Sequence, residues 1–486
     1  MDTRKLSHLG FTPFFLIMML VSGCTVGPDF EEPVVQSPGS YRTTPDKVDR
    51  EAEFKWWQLF NDPQLLLLVT TALENNRDIK VAASRIAQSR AALGFTEVDG
   101  YPRLDVEAGI NRGDFTGAGK SPSVSTSSYI VAPLSWEIDF WGKFSRATDA
   151  ARADLIASEY GLKTVQLTLV SDVVSGYYQL LDFHRRLAIS ESTLKSRIDS
   201  LYIIQQRFNR GIISELDVNQ AEIQREIAAA SIPLYQRSIS KAENSLSVLL
   251  GRLPGAIKVP ANMVGQTEPP DIPVGMPADI LEQRPDITQA KFLLRAQTEQ
   301  IGIAEALRWP AISLTGTLGA ASTELNSITV DGGVWSVGGQ LLSPVFNFGQ
   351  NQRRVEIEEA ITQQVLFQFE NTVLTAFREV EDALVEIETY RRELAAIDRQ
   401  LIAAKNANEL SKERYDKGVS SYLEVLDTER TRFATDLQQS ELQQLYLNAY
   451  VNLYKSLGGG WVADADREFL ETADFKSIRY NSEHSN

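Results

Sequence analysis

The sequence contains few of the residues from which catalytic and metal sites are usually built. Among its 486 residues are one cysteine, three histidines and five methionines. The single cysteine, Cys24, excludes an intrachain disulfide and leaves no zinc-ligand spacing. His184 stands alone in a long helical pattern, where we interpret it as a solvated or packed residue. Because a glycine-rich phosphate loop and a nucleophile elbow are also missing, we predict a protein that is not an enzyme and has no catalytic residue, metal or cofactor site.

Long apolar runs are lacking beyond the N-terminus, so we expect no transmembrane helix after it. Arg4 and Lys5 precede an apolar run at 14–21 that is too short to span a bilayer as a helix. A basic start followed by a short apolar run is typical of a secretion signal. We therefore predict a signal peptide at 1–23.

The signal ends in Val21-Ser22-Gly23-Cys24, which resembles the bacterial lipobox. In that motif the peptide is cleaved before the cysteine, which is then acylated, so we predict a covalent lipid on Cys24. Thr25 and Val26 follow, where an aspartate would resemble an inner-membrane retention signal. We therefore expect sorting to the outer membrane.

The net charge of −16 excludes some partners and favours others. Removing 1–23 takes away Asp2, Arg4 and Lys5 and leaves a charge of −17. An acidic chain is a poor candidate for binding nucleic acid, so we expect none as a partner. The same charge suits a negatively lined passage that tolerates cations.

Most of the chain is one segment of about 175 residues written twice in tandem. Gly94 matches Gly302 at an offset of 208, and Gly211 matches Gly418 at an offset of 207 after one residue drops out near Trp141. Two units of this length are too few and too long for a solenoid. The duplication predicts a protomer with pseudo-twofold symmetry.

Each repeat contains a pair of strands with apolar residues at every second position. Leu104, Val106, Ala108 and Ile110 alternate with polar residues in the first repeat, and Ile312, Leu314 and Leu318 do so in the second. A strand of about 10 residues crosses a bilayer when it is tilted. The last strand, near 334–348, alternates less cleanly and contains Pro344, so we expect an irregularity there.

Aromatic residues flank the strand pairs at one end, as in the interfacial girdle of a membrane barrel. They are Tyr101, Phe140, Trp141, Trp309, Phe346 and Phe348. An ordinary half-exposed antiparallel sheet is the alternative interpretation of any one strand. Four strands are too few to close a barrel, and an open edge is not viable in hydrocarbon. Three chains would supply twelve strands and an aqueous lumen, which predicts a trimer.

After each strand pair the chain has a stretch of nearly 70 residues without proline, at 142–208 and 349–415. A helix of this length extends about 100 Å. Gly211 and Gly418 follow a basic residue at the end of each helix, as in a left-handed C-terminal cap. The segments Ser214 to Asp217 and Ser421 to Glu424 then predict capping boxes that start the returning helices. Each repeat therefore contains a long helical hairpin.

With these residues established, the chain resembles the outer membrane factors of the TolC superfamily, specifically the acylated NodT/OprM-like group. Four stretches match that group: 24–30 (CTVGPDF), 56–65 (WWQLFNDPQL), 278–287 (ADILEQRPDI) and 418–427 (GVSSYLEVLD). The likeness covers nearly the whole chain after the signal. It implies an α+β membrane protein, a homotrimer whose twelve-stranded outer-membrane barrel continues into a long periplasmic barrel of helices.

The resemblance also implies a function and partners. Members are exit ducts of tripartite efflux pumps, joined to a periplasmic adaptor and an inner-membrane transporter, for which we favour the RND type. The trimer would also contact outer-membrane lipid. We keep two alternatives, a periplasmic adaptor lipoprotein and a type I secretion exit channel, and the sequence does not specify the exported substrate.

These inferences divide the chain into segments. After the signal we assign a lipid-anchored tether (24–60), helices of the periplasmic equatorial region (61–100 and 279–307), barrel strand pairs (101–141 and 308–348), helical hairpins of the tunnel (142–251 and 349–458), an inter-repeat linker (252–278) and a C-terminal equatorial segment and tail (459–486).

The resemblance places a candidate gate at the hairpin turns. Tyr415, Glu424 and Asp427 match positions of the family's periplasmic constriction, and Asp217 is the first-repeat counterpart of Glu424. Asp217 and Glu424 are also capping candidates, whereas Asp427 lies one turn further and is the better candidate for an acidic ring. Ser420 stands where some relatives have an arginine, so their salt-bridge lock is in doubt here.

Overall fold

The computed structural model describes residues 25–42, 62–114, 124–259, 280–322 and 333–459. The predicted signal peptide, Cys24 and the tail from 460 onward lie outside the described residues. The chain divides into two units, one formed by 1–35, 83–161 and 288–372 and the other by 36–82, 162–287 and 373–486. Among the described helices, none combines the length and the apolar composition needed to cross a membrane.

The described residues form helices and strands in the same order in both halves of the chain. These elements are α1 (Pro63–Asn75), α2 (Arg77–Asp99), β1 (Arg103–Leu104), β2 (Glu107–Asp114), β3 (Val124–Ile138), α3 (Lys143–Asn209), α4 (Glu215–Leu249), α5 (Ile280–Gln283), α6 (Pro285–Ala306), β4 (Ala311–Ser322), β5 (Gly333–Leu342), α7 (Gln350–Asp416) and α8 (Tyr422–Ser456). The long helices α3 and α7 each contain 67 residues, and the returning helices α4 and α8 each contain 35.

The strands form one antiparallel sheet in the order β2, β3, β4, β5, and β1 pairs with β3 on the same side as β2. β1 and β2 are two parts of one edge strand, because Arg103 pairs with Ser135 and Glu107 with Val131 in an unbroken register on β3. The register continues through Leu134 opposite Gly316 and Gly316 opposite Val337. This pairing aligns every second residue of the four strands on the same face of the sheet.

One face of the sheet is therefore apolar over most of the length of its strands. It presents Leu104, Val106, Ala108, Ile110, Ile130, Ala132, Leu134, Trp136, Ile138, Ile312, Leu314, Leu318, Trp335, Val337 and Leu341. Several of these side chains are largely uncovered, with Leu318 69% and Val337 83% exposed. An apolar face of this extent is unusual on a monomer in water and marks a surface that something else covers.

The end of the last strand differs from its predicted position. β5 ends at Leu342, whereas the sequence pattern extended it to about residue 348. Pro344 follows the end of the strand; proline has no N–H to donate to a neighbouring strand, which explains the early stop. Phe346 and Phe348 thus lie beyond the strand, and Phe348 adopts a positive φ of 53°. β3, with 15 residues, is longer than the strand length expected from the sequence.

The long helices bury a narrow stripe in the second unit. In α3 this stripe includes Val170, Val173, Val174, Tyr177 and Leu180, at the spacing of three and four residues that a helix uses to pack against neighbours. In α7 it consists of Val373, Ala376, Val380, Ala383, Leu384 and Ile387. Val173 and Val380 differ by the repeat offset of 207, as do Tyr177 and Leu384, so both helices bury the same positions.

The returning helices end on equivalent contacts made by different side chains. Asn76 donates from Nδ2 to the carbonyl of Leu249 at 2.9 Å. Arg284, at the corresponding position of the second half, donates from Nη1 to the carbonyl of Ser456 at 2.9 Å. Arg284 is buried and also binds the carboxylates of Asp286 and Glu379, so its charge is compensated. The end of α4 is thereby tied to the residue that precedes α2, and the end of α8 to the residue that precedes α6.

Candidate functional site at the hairpin turns

Both long helices end in the same backbone motif. Gly211 and Gly418 have φ values of 72° and 74°, in the left-handed region that glycine adopts without strain. The N–H of Ile212 donates to the carbonyl of Arg207 at 3.0 Å, and that of Val419 to Arg414 at 3.0 Å. These bonds, with shorter ones from the two glycines, form Schellman motifs that satisfy the last carbonyls of each helix. The turns are therefore held by their own backbones.

The first returning helix begins with a side-chain cap made by Asp217. Its Oδ2 accepts the backbone N–H of Ser214 at 3.1 Å and the Ser214 hydroxyl at 2.9 Å. This is the carboxylate half of a capping box, as the sequence pattern predicted. Asp217 therefore has a structural role, because it caps the helix that follows its own turn.

The second returning helix lacks the corresponding cap, so the predicted capping box at Ser421 and Glu424 is wrong. Ser421 stands at the N-cap position without a side-chain hydrogen bond, and the N–H of Glu424 donates to the Ser421 carbonyl. The Glu424 carboxylate instead contacts Nε of Arg414, near the end of α7, at 3.1 Å. Glutamate has one methylene more than Asp217, which lets it reach a cation across the turn.

Tyr415 lies in a cluster of aromatic and charged groups between the turns. Its ring contacts the ring of Tyr422 with centroids 5.3 Å apart. The Arg207 guanidinium lies 4.6 Å from the centre of the Tyr415 ring and also binds the Asp416 carboxylate at 3.1 Å. Arg207 therefore connects the end of α3 to the end of α7 by a cation–π contact and an ion pair.

A small hydrophobic core holds the two turns together. It contains the buried residues Ile204, Ala221, Tyr422, Val425 and Leu426, with Leu201, Ile213, Val218 and Tyr415 packed against it. Burial raises the pKa of Tyr422 well above its usual value, so its hydroxyl stays neutral. The hydroxyls of Tyr415 and Ser420 are buried without hydrogen-bond partners among the described residues.

Asp427, the candidate for an acidic ring, lies on the exposed surface of α8. Its Oδ1 accepts from Nη2 of Arg430, one turn further along the same helix, at 2.6 Å. Both side chains are more than half exposed, so the pair is solvated and weak. Within one chain, Arg430 therefore neutralises part of the negative charge of Asp427. The sequence analysis missed Arg430, although its spacing of three residues from Asp427 is visible in the sequence.

The predicted aromatic girdle lies in the other unit. The rings of Trp141 and Trp309 stack with centroids 4.7 Å apart, and Trp141 donates from Nε1 to the carbonyl of Pro310 at 2.9 Å. Phe346 and Phe348 contact each other at 4.5 Å. Tyr101 is exposed and precedes the edge strand at the same end of the sheet. Sequence reasoning missed Trp335, which lies near the opposite end of the sheet on its apolar face.

The histidine and carboxylate side chains of the described residues do not gather into a metal site. No group of three or more His, Cys, Asp or Glu side chains that could hold a metal occurs among them. His184 is partly buried, burial lowers its pKa, and its Nε2 has no hydrogen-bond partner in the described chain. It is therefore neutral at pH 7, as expected for a packed helix residue.

The sequence pattern of the family described as outer membrane efflux protein matches residues 68–252 and 276–459. The chain belongs to this family. This confirms the resemblance seen in the sequence motifs, and it identifies the chain as an efflux protein of the outer membrane.

Two relatives show how far the similarity extends. The probable outer membrane lipoprotein SilC of Salmonella typhimurium is 32% identical over 467 residues, covering 94% of this chain and 99% of SilC. The solvent efflux pump outer membrane protein SrpC of Pseudomonas putida is 33% identical over 471 residues, covering 92% of this chain and 98% of SrpC. Both names describe efflux or outer membrane proteins and not enzymes, which fits the prediction.

Solved structures agree with the sequence comparison. The outer-membrane channel OprN superposes on this chain with a TM-score of 0.84 and 30% identity, covering 90% of this chain and all of the OprN chain. The chain is therefore similar over nearly its whole length to a protein described as a channel.

The two turn carboxylates should differ in their effect on stability. Asp217→Ala removes a helix cap and should lower the free energy of unfolding by about 1 kcal/mol. Glu424→Ala removes only an exposed ion pair and should cost less than about 0.5 kcal/mol. Chemical denaturation of the purified variants measures both. An equal or larger loss for Glu424→Ala would contradict the assignment of the cap.

Proposed function

We propose that the protein is the outer-membrane exit duct of a tripartite efflux pump and works as a homotrimer with a twelve-stranded barrel. Substrates would pass through it passively, from a periplasmic adaptor and an inner-membrane transporter, with the RND type favoured, to the exterior. In this proposal the strand pairs form the barrel, and the hairpins of the duplicated halves form the periplasmic tunnel. The segments 24–60, 252–278 and 459–486 would serve as tether, linker and equatorial tail.

The observation that supports the barrel most strongly is the sheet itself. Much of its apolar face is exposed, and its edge strands β2 and β5 have no further strand partner among the described residues. Lipid would cover such a face, but hydrocarbon cannot satisfy the free N–H and C=O groups of the edges. Pairing β5 of one protomer with β2 of the next satisfies both edges, and three copies give a barrel with a water-filled lumen.

The repeat offsets suggest which surfaces meet in the trimer. In the first unit, Tyr160 of α3 stacks on Phe292 of α6, with ring centroids 6.2 Å apart. The corresponding positions are Phe367 on α7 and Ser84 on α2. Phe367 is 57% exposed in the single chain. If six repeats surround one axis, the contact between repeats within a chain recurs between chains, and Phe367 meets α2 of the neighbour near Ser84.

The residues just after Cys24 support a lipid anchor beside the aromatic end of the sheet. The N–H of Val26 donates to the carbonyl of Trp141 at 3.2 Å. Gly27 has φ 93° and lies so close to Gly302 that a Cβ on it would stand 2.4 Å from the Gly302 Cα. Buried Arg146 binds Asp29 at 2.9 Å and Glu299 at 2.7 Å. This segment is thus fixed next to Trp141, where a membrane surface is proposed.

Neither the fold nor the hairpin turns identify the substrate. SrpC is named for solvents and another relative, CusC of Escherichia coli, for cations, so similar ducts belong to pumps with different cargo. Only two methionines lie beyond the signal, which gives no sign of a methionine-rich copper route. Family membership favours the duct over a periplasmic adaptor, and co-purification with an adaptor and its transporter would identify the pump.

The trimer can be tested by cross-linking, because the only native cysteine is the one proposed to be acylated. The variant Ser84→Cys with Phe367→Cys should give a covalent trimer with a short bifunctional maleimide. Each single variant is the control and should not give a closed trimer. A protein that stays monomeric on a denaturing gel, while purifying as an intact trimer, would show that these positions do not meet.

The lipid can be tested by mass spectrometry of the mature N-terminus. The wild-type protein should begin at Cys24 and have acyl chains on it. Cys24→Ser should remain unacylated and be extracted from membranes more easily, because one membrane anchor is lost. An unmodified cysteine in the mature wild-type protein would refute the lipoprotein assignment.

The acidic ring can be tested by removing either partner of the Asp427–Arg430 pair. Three copies of Asp427 near one axis would attract cations, and Arg430 would moderate that attraction. In planar bilayers, Asp427→Ala should weaken block of the pore by divalent cations, and Asp427→Ala with Glu424→Ala should weaken it further. Arg430→Ala should strengthen block of the pore by divalent cations.

Arg378→Ala provides a matched control, since Arg378 forms a similar exposed pair with Asp382 on α7. Conductance and cation block that are unchanged in the folded Asp427 and Arg430 variants would show that these residues do not line the pore.

A further inference from the structure

A basic cavity of about 390 Å³ lies between α3, α7 and α8 in the second unit. Its charged lining residues are Arg185, Arg197, Lys405, Lys412 and Arg432, against the carboxylates Glu429 and Asp436. Five cations thus face two anions in a chain whose net charge is −16. The excess of positive charge is therefore local to this cavity.

Arg197 is the most confined of these cations, with only 3% of its surface exposed. Its Nη1 donates to the carbonyl of Gln224, and its guanidinium lies 4.9 Å from the centre of the Phe433 ring. Nε and Nη2 have no hydrogen-bond partner among the described residues. Buried donors are rarely left without an acceptor, so the free edge of this guanidinium calls for one.

The remaining cations are only partly neutralised. Lys412 contacts Glu429 at 2.7 Å, whereas Lys405 and Arg432 share Asp436 at 3.6 and 3.7 Å. Arg185 donates to the neutral side chains of Gln439 and Gln443. Burial lowers the pKa of both Arg185 and Arg197, although nearby carboxylates such as Asp182 and Glu429 act in the opposite direction.

The cluster draws on both halves of the described chain, and three of its five cations have no basic counterpart in the other half. At the repeat offset of 207, Arg197 corresponds to Ala404, Lys405 to Ile198, and Lys412 to Gln205. Arg185 and Arg432 correspond to Arg392 and Arg225, which form exposed ion pairs with glutamates. The basic cavity is therefore not a by-product of the common hairpin fold.

We propose that this cavity binds a small multivalent oxyanion of the phosphate or sulfate type. The Nε–Nη2 edge of a guanidinium offers two parallel donors that match two oxygens of such an ion. The negative charge of the ion is balanced by Lys405, Lys412 and Arg432. Because so little of Arg197 is exposed, a free ion reaches it more readily than a side chain of a docked protein. The bound ion ties α3 to the α7–α8 hairpin.

The test is equilibrium dialysis of the purified full-length protein with radiolabelled inorganic phosphate at constant ionic strength. Wild-type protein should bind phosphate saturably, and sulfate should compete while chloride should not. Arg197→Gln should weaken binding about tenfold or more because it removes the bidentate donors. Lys405→Gln, at a partly exposed position, should weaken it several-fold without affecting folding. Arg225→Gln, the counterpart of Arg432 in the other half, should bind as wild type does.

The absence of saturable phosphate binding by folded wild-type protein overturns the proposal. An equal loss of phosphate binding in Arg197→Gln and Arg225→Gln also overturns the proposal, because the loss would then reflect the overall charge of the protein. If Arg197→Gln does not fold, the phosphate affinity of Lys405→Gln decides whether the ion binds in this cavity. If phosphate does not bind, but Lys405→Gln abolishes co-purification with an adaptor, the cavity takes a protein carboxylate and the free-ion proposal is wrong. The experiment measures binding to the isolated protein and does not depend on the proposed efflux function.

Discussion

The proposed assembly depends on the backbone groups at the two edges of the sheet. Each edge strand has N–H and C=O groups that lipid cannot satisfy and that no other strand among the described residues satisfies. Water would satisfy them, but the apolar face from Leu104 to Leu341 disfavours an aqueous setting. Pairing with identical copies meets both demands without any new element. The proposed trimer with a continuous barrel would leave no edge of this sheet unpaired.

The two halves of the chain share their backbone and differ in the chemistry placed on it. Gly211 and Gly418 end the long helices in the same way, yet Asp217 caps its helix whereas Glu424 reaches Arg414. Buried Arg146 fixes the N-terminal segment, whereas its counterpart Arg353 is exposed and contacts Glu356. The two halves therefore share a scaffold, whereas single residue differences give them different local contacts. Local ion pairs determine these differences.

The sequence predicted the features that depend on local periodicity. Alternation placed Leu104 and Leu314 on one face, and glycine after a basic residue predicted both turns, because these signals act within a few residues. The partner of Glu424 was not predictable in this way, since it depends on a cation on the preceding helix. The basic cavity was equally hidden, because Arg197 and Lys412 are more than 200 residues apart in the chain. Contacts between distant helices require the fold.

The contacts at the turns are suited to opening. The Schellman motifs and the core around Tyr422 lie within each hairpin or between adjacent helices, where backbone bonds and burial keep them in place. By contrast, the ion pairs Arg207–Asp416, Arg414–Glu424 and Arg430–Asp427 are largely exposed. Exposed pairs contribute from zero to about 1 kcal/mol each, so a docking protein could replace them at little cost. The turns can therefore stay folded while the charged contacts around them are exchanged, as the predicted gate at the hairpin turns would require.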